Sequence, residues 1–179
     1  MRRSLVVVVG LVTLAALAAR PAEAGDTSTT FTLTAAGGLA ISQPASTDLG
    51  SAATNAGTLS TQLGAVTVTD TRGALLGSWT ASVTSTDFTT GLATADETIA
   101  KGSVDYWSGA ATSTTGTLVA TPGQATVLNK VTMAASRTAF SAAAIVGNNT
   151  AAWNPTVVVN IPSDSVVGTY TGTITHSVA

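Results

Sequence analysis

Apolar and polar residues alternate along many short segments of this chain. Val66 and Val68 alternate with threonines, and Trp79, Ala81 and Val83 share one face of the segment that follows. A period of two residues indicates a strand with one buried face, and intervening Gly, Asn and Asp indicate turns. The pattern therefore predicts an antiparallel all-β domain. The same period recurs at Phe31/Leu33, at Val157/Val159/Ile161 and at Tyr170/Ile174/Val178.

The spacing of these segments predicts an antiparallel β-sandwich with Greek-key connections, either Ig-like or jelly-roll-like. We expect about seven to ten strands rather than a barrel around a ligand. Turns are expected at residues 70–73, 122–123 and 147–149, because Asp and Asn cap turns and Gly accepts positive φ. The alanine-rich residues 133–146 are the exception, since their composition could hold a short helix.

Residues 1–24 have the composition of a secretory signal peptide. Arg2 and Arg3 precede an apolar run, and Ala22 and Ala24 form a small-x-small cleavage site. Such a segment is removed on export, so we expect a secreted chain with one domain over residues 25–179. An uncleaved anchor is the alternative, but the apolar run is short for a bilayer span.

Charge and cysteine content limit the partners and the chemistry. Residues 25–179 contain four basic and eight acidic residues, a net charge of −4. Four scattered cations form no basic patch, so neither nucleic acid nor a membrane surface is an expected partner. The absence of cysteine excludes disulfides, thiolate nucleophiles and zinc–thiolate sites. No apolar span or Pro-x-Thr-Gly sorting motif precedes Ala179, so we expect no C-terminal anchor.

Few residues are candidates for catalysis. His176, the only histidine, shares a face with Ile174 and Val178, which predicts a partly buried, hydrogen-bonded side chain rather than a catalytic one. Asp96 and Glu97 could act as acid or base, but adjacent carboxylates in a turn are usually solvated.

Metal and cofactor sites have equally weak support. Asp70, Asp87 and Asp105 could bind calcium only if their loops converged, since their spacing matches no calcium loop. The chain has neither a G-x-S-x-G motif nor a phosphate-binding loop. We therefore expect no enzyme activity, no metal and no cofactor.

The aromatic residues divide into core and surface candidates. Trp79 lies on an apolar face, which favours packing over ligand contact, and Tyr170 stands where sandwiches often tether a tyrosine hydroxyl to backbone. Val104 and Tyr106 share one face, which turns Trp107 to the other. An exposed tryptophan at a strand end can stack on sugar rings, although it can equally cover a second core. Trp107 and the neighbouring Tyr106 are the ligand-binding candidates.

Residues 63–88, LGAVTVTDTRGALLGSWTASVTSTDF, resemble the core of the WxL-type surface domain of Gram-positive bacteria. In that family a valine-rich strand ends in an Asp-x-Arg-Gly turn, and a tryptophan strand and Thr-Asp-Phe follow. Residues 168–171, Gly-Thr-Tyr-Thr, are similar to the segment that precedes the second W-x-L of that family. The two W-x-L positions read Trp79-Thr80-Ala81 and His176-Ser177-Val178. The matches in the first stretch are Val66, Val68, Asp70, Arg72, Gly73, Trp79, Val83, Asp87 and Phe88.

The resemblance implies a non-enzymatic module that is associated with the cell wall and binds peptidoglycan or another wall glycan non-covalently. The alternative is a structural subunit of a surface fibre, coat or protein complex, with other surface proteins as partners. Low charge and richness in Thr, Ser and Gly favour that alternative. A wall hydrolase is a third possibility without a catalytic constellation. The family-motif residues with an implied structural role are Asp70, Arg72, Gly73, Trp79, Asp87, Phe88, Tyr170 and His176.

Overall fold

The structure is a computed structural model that describes residues 30–34, 37–54 and 56–179. The predicted signal peptide lies outside the described residues. The chain divides into two units, Met1–Leu33 and Thr34–Ala179. In the first unit the alternation of Phe31 and Leu33 predicts a strand, but residues 30–33 form none and both side chains are exposed. Alternation alone is insufficient, because a strand also needs a neighbouring strand to pair with.

The second unit is nearly all β, as the alternation predicts. Its described residues form twelve strands, more than expected because several are only two to five residues long. Within the described part of the chain, no helix has the length and apolar character needed to span a membrane. The strands are β1 (Leu39–Ser42), β2 (Thr58–Gln62), β3 (Val66–Asp70), β4 (Leu75–Ser85), β5 (Phe88–Thr89), β6 (Thr98–Ile99), β7 (Val104–Trp107), β8 (Ala111–Pro122), β9 (Val131–Thr132), β10 (Arg137–Trp153), β11 (Thr156–Asn160) and β12 (Ile174–Val178), and short 3-10 helices span Ala95–Glu97, Lys101–Ser103 and Val127–Asn129.

The strands form two main antiparallel sheets and a small one. Sheet A has the order β1-β3-β10-β4-β12, with β8 paired to β10. Sheet B has the order β2-β11-β7-β9, and β5 pairs with β6. β1 and β12 lie close to each other, and one of the antiparallel sheets is nearly closed and barrel-like. The fold is therefore sandwich-like, with one barrel-like sheet.

Three pairs of consecutive strands cross from one main sheet to the other at one corner. β2 leads into β3 through residues 63–65, β7 into β8 through residues 108–110, and β10 into β11 through residues 154–155. These strands are neighbours in both sheets. The Leu63 N–H donates to the Pro155 carbonyl at 2.9 Å, which fixes two of the crossings together. The sheets consequently share one core.

At residues 70–73, where a turn was predicted, the strand is interrupted but the chain does not reverse its direction. Asp70 in β3 lies opposite Asn149 of β10, and Trp79 in β4 lies opposite Ala142 of the same strand. β8 occupies the other edge of β10 along its length. β4 therefore continues the line of β3 instead of returning beside it.

Two predictions about residues 133–149 are wrong. The alanine-rich segment is not a helix, because β10 begins at Arg137 and buries Phe140, Ala142 and Ile145. Packing of this face against the core outweighs the helix propensity of alanine. The predicted turn at residues 147–149 lies inside β10, where Gly147, with φ of 75°, accommodates a register shift.

Large aromatic side chains occupy the centre of the core. The rings of Phe140 and Trp153 stack with centroids 4.8 Å apart and an interplanar angle of 19°. Trp153 is the last residue of β10, where the chain passes from sheet A to sheet B. Its stack with Phe140 therefore connects this corner to the middle of sheet A. Other buried members of the core include Val66, Val68, Trp79, Val83, Phe88, Val104, Tyr106, Met133 and Ile145.

Candidate functional site

The Asp-x-Arg-Gly residues form a polar network at the interruption between β3 and β4. Asp70 is fully buried, and its carboxylate accepts hydrogen bonds from Arg72 Nε and Nη2, each at 2.9 Å. The Arg72 backbone N–H donates to the same carboxylate at 3.0 Å. The Arg72 side chain holds the pKa of Asp70 below its ordinary value despite the opposing effect of burial. This ion pair fixes the backbone where the strand line breaks.

Asn149 connects this network to the core tryptophan. Its Oδ1 accepts a hydrogen bond from Trp79 Nε1 at 3.2 Å, and its Nδ2 donates to Asp70 at 3.3 Å. Next to it, Asn148 Oδ1 accepts the Gly73 N–H at 3.1 Å. The structure thus brings together Asp70, Arg72, Gly73 and Trp79, four residues of the stretch at 63–88, around two asparagines. Sequence reasoning missed both asparagines because it assigned them to a turn.

His176 and Tyr106 form a buried pair inside the core. Tyr106 OH and His176 Nε2 are 3.0 Å apart, and the ring of Trp153 lies edge-on to the imidazole at 6.3 Å. Burial lowers the pKa of His176 to about 4 and raises the pKa of Tyr106, so both are neutral at pH 7. The predicted hydrogen bond of His176 is confirmed, and at 6% exposure the side chain is more deeply buried than the partial burial expected. The choice of Tyr106 as a ligand-binding residue is wrong, because its side chain is 0% exposed.

Tyr170 and Glu97 fasten the segments around the small sheet. The Tyr170 hydroxyl lies 3.2 Å from the Asp96 carbonyl and 2.9 Å from the Val166 carbonyl, which confirms the predicted tether to backbone. Glu97 accepts hydrogen bonds from the Thr94 N–H and hydroxyl, at 3.0 and 2.8 Å. The Thr94 N–H is the main reason that the pKa of Glu97 lies below its ordinary value. Glu97 therefore caps a turn.

The three aspartates considered for calcium do not converge. Asp70 is paired with Arg72, Asp87 accepts the Lys101 N–H at 2.8 Å, and Asp105 is paired with Lys130. Across residues 30–34, 37–54 and 56–179, no three His, Cys, Asp or Glu side chains are grouped for metal binding. Each carboxylate instead stabilises its own segment.

Trp107 lies on the outer face of sheet B. In β7, Val104 and Tyr106 point into the core, which directs Trp107 outward, where it is half-buried. Strand pairing places Thr156 of β11 opposite Trp107, and Gln62 of β2 opposite Thr156. The indole, a hydroxyl and an amide therefore lie in one row across three strands.

A second polar row lies beside the first. Asp105, two residues before Trp107, lies on the same side of β7, and it accepts hydrogen bonds from Lys130 Nζ and from Asn160 Nδ2, the latter at 3.2 Å. Asn160 Nδ2 also donates to the Ser103 carbonyl at 3.0 Å. The ion pair neutralises the Asp105 charge. Asp105 and Thr156 are each only 8% exposed, so in the row through Trp107 the indole and the Gln62 amide are the groups that reach the surface. Sequence reasoning found Trp107 but not its neighbours, because these depend on strand register.

A cleft of about 1230 Å³ lies elsewhere, between residues 43–54 and residues 165–176. Its apolar lining includes Leu59, Ile99 and Ile161, and threonine and serine side chains surround these residues. His176 also lines the cleft, but its Nε2 is engaged with Tyr106. The cleft is the second candidate site, with hydroxyl and backbone groups as its polar chemistry.

Comparison with known proteins adds no relative. No protein-family model matches the chain, and neither a curated protein nor a solved structure matches it. The WxL resemblance accordingly stays a prediction that rests on the residues quoted above.

Proposed function

We propose that this protein is a non-enzymatic module of the cell surface. In this proposal the outer face of sheet B binds peptidoglycan or another wall glycan non-covalently. The observation that carries the proposal is Trp107, half-buried in a row with Thr156 and Gln62. An indole with one open side can stack on the apolar face of a sugar ring. The Gln62 amide is exposed and can exchange hydrogen bonds with sugar hydroxyls, whereas Thr156 is only 8% exposed and supports the row from below.

The position of Trp107 on a paired strand favours this role. β7 pairs with β11 on one side and β9 on the other, so the backbone that carries the indole is fixed before ligand arrives. A preorganised contact loses less conformational entropy on binding than a contact made by a mobile loop. The ion pair between Asp105 and Lys130 further fixes the adjacent polar groups. An outward sheet face of this kind suits a polymer that extends beyond the protein.

Electrostatics distinguish this mode from cationic wall binding. A mature chain of net charge −4 is repelled by wall carboxylates and phosphates, so stacking and hydrogen bonds must supply the affinity. Salt screens the repulsion, since the Debye length falls from about 10 Å at 0.1 M to about 3 Å at 1 M. We expect retention on purified sacculi to hold or rise with salt. Release by moderate salt would contradict the proposed mode.

We expect Trp107→Ala to weaken retention on purified sacculi by about tenfold, because one stacking contact is lost. Trp107→Phe keeps a ring and should lose much less. Leu92→Ala is the matched control, since Leu92 is 89% exposed and lies in a loop outside sheet B. Co-sedimentation measures retention, and circular dichroism checks that each variant is folded. Equal retention of Trp107→Ala and Leu92→Ala would refute the assignment of this face.

A further inference from the structure

β8 forms one edge of sheet A. It pairs with β10 on one side, and among the described residues no strand pairs with its other side. At twelve residues the strand is about 40 Å long, and residues 111–117 are exposed on both faces. A free edge of this length presents a row of backbone groups that can pair with another strand.

In the second half of β8, every second residue directs its backbone N–H and C=O groups away from β10. The Gly123 N–H donates to the Ala139 carbonyl at 2.9 Å, and the antiparallel register gives Val119 the same orientation towards β10. The alternate residues Leu118 and Ala120 therefore direct their N–H and C=O groups to the free edge. These groups are the donors and acceptors of a further strand pair.

β8 also lacks the charges that usually protect an edge strand. It contains no charged residue, and neither do residues 138–163, which include nearly all of the neighbouring β10. Pro122, at its last position, is the one protective residue type within the strand. Because the mature chain is expected to carry a net charge of −4, two copies repel each other least along this uncharged region.

The other edges in the described part of the chain are short or covered. β1, β9 and β12 have four, two and five residues. The edge of β2 is covered by the preceding loop, since Thr61 Oγ1 donates to the Leu49 carbonyl and Thr47 Oγ1 to the Leu63 carbonyl, both at 2.7 Å. β8 is thus the long open edge of this part of the molecule.

An exposed aliphatic patch adjoins β8. It consists of Leu75, Leu76, Val119 and Val146, which are 79%, 79%, 59% and 47% exposed. Val146 of β10 lies opposite Leu75 of β4 and opposite Thr117 of β8. Leu76 has a φ of 59°, a left-handed conformation that costs free energy for leucine. Exposed apolar side chains together with backbone strain are typical of a contact surface.

We infer that two copies of this chain associate edge to edge, with β8 antiparallel to β8 of the second copy. A register with Leu118 opposite Ala120 of the second copy satisfies the free N–H and C=O groups of both residues in both copies. The two-fold axis then passes beside Val119, as a self-complementary contact requires. The two aliphatic patches become neighbours on one continuous sheet. This inference does not depend on the glycan site.

Sedimentation velocity on the secreted mature protein tests the inference from about 1 μM to about 1 mM. We expect a monomer–dimer equilibrium in the wild type. Val119→Lys places two ammonium groups beside the axis and should raise the dissociation constant at least about tenfold. Thr84→Lys makes the same change of charge at an exposed residue of β4, and it should leave the constant within about twofold.

Amide hydrogen exchange provides a readout that does not depend on a variant. Exchange at Leu118 and Ala120 should slow as the wild-type concentration rises, and circular dichroism should show that both lysine variants are folded. A wild type that stays monomeric throughout would overturn the inference. So would equal dissociation constants for the two lysine variants, or a dimer in which these two amides stay unprotected.

Discussion

Replacing Trp79 with alanine should lower the free energy of unfolding by about 3–5 kcal/mol. Trp79 is 2% exposed, and its Nε1 donates to Asn149, which in turn donates to Asp70. The substitution therefore leaves a cavity and also removes the donor that satisfies Asn149 Oδ1. Both effects fall on the residues that fix the interruption between β3 and β4.

Trp79→Phe separates the two effects. Phenylalanine retains most of the ring volume but cannot donate to Asn149, so the expected loss is only about 1–2 kcal/mol. Urea unfolding followed by intrinsic fluorescence or circular dichroism measures both variants. If Trp79→Ala left the denaturant midpoint unchanged and abolished wall binding, Trp79 would be a ligand residue and not a core residue.

Acidification from pH 7 to pH 4 should destabilise the fold by about 3 kcal/mol through His176 alone. Burial lowers the pKa of this side chain from 6.5 to about 4. Below pH 6.5 the unfolded chain takes up a proton that the folded chain does not bind. The contribution of neutral His176 to stability is therefore fully present above pH 6.5, and it is lost as the pH falls towards 4. The pKa of Asp70 is also lowered, so protonation of this carboxylate further reduces the stability of the fold when the pH falls below 3.8, its ordinary pKa.

His176→Gln is the control for this pH dependence. The amide can still form a hydrogen bond with Tyr106, but it does not titrate. Urea unfolding at several pH values should show a much smaller slope between pH 6.5 and pH 4 for this variant than for the wild type. Equal slopes would assign the acid sensitivity to other groups.

Residue alternation predicted the buried faces well. Val66, Val68, Trp79, Ala81 and Val83 are all buried, because a period of two fixes which side chains share a face once a strand forms. The same local rule oriented Trp107 outward. It also failed for residues 30–34, where the alternating pattern is present and a strand is not.

Pairing between distant strands could not be predicted from the sequence. The interruption at residues 70–73 has the composition of a turn, and only the position of β10 shows that the chain continues in the same direction. The neighbours of Trp107 illustrate the same limit, since Gln62 and Thr156 reach it through the register of β2, β11 and β7. Alternation places Tyr106 on the face of Val104, but the sequence does not show that His176 accompanies its hydroxyl inside the core, and Tyr106 was therefore misassigned.

The proposed dimer has a consequence for the proposed binding mode. Two copies paired through β8 would carry two outer faces of sheet B on one particle. Two weak contacts on the same polymer increase retention more than either contact alone, provided that both faces reach the wall together. Val119→Lys should then weaken retention on sacculi without altering the affinity of one face for a soluble fragment.

We propose that wall glycan binds the outer face of sheet B at Trp107. An NMR titration of the ¹⁵N-labelled mature protein with soluble, muramidase-released peptidoglycan fragments detects such binding residue by residue. We predict saturable shifts of the Trp107 indole N–H and of the Gln62 and Thr156 amides, and their loss in Trp107→Ala. Shifts confined to residues 43–54 and 165–176 around the cleft, or no shifts at all, would contradict the claim.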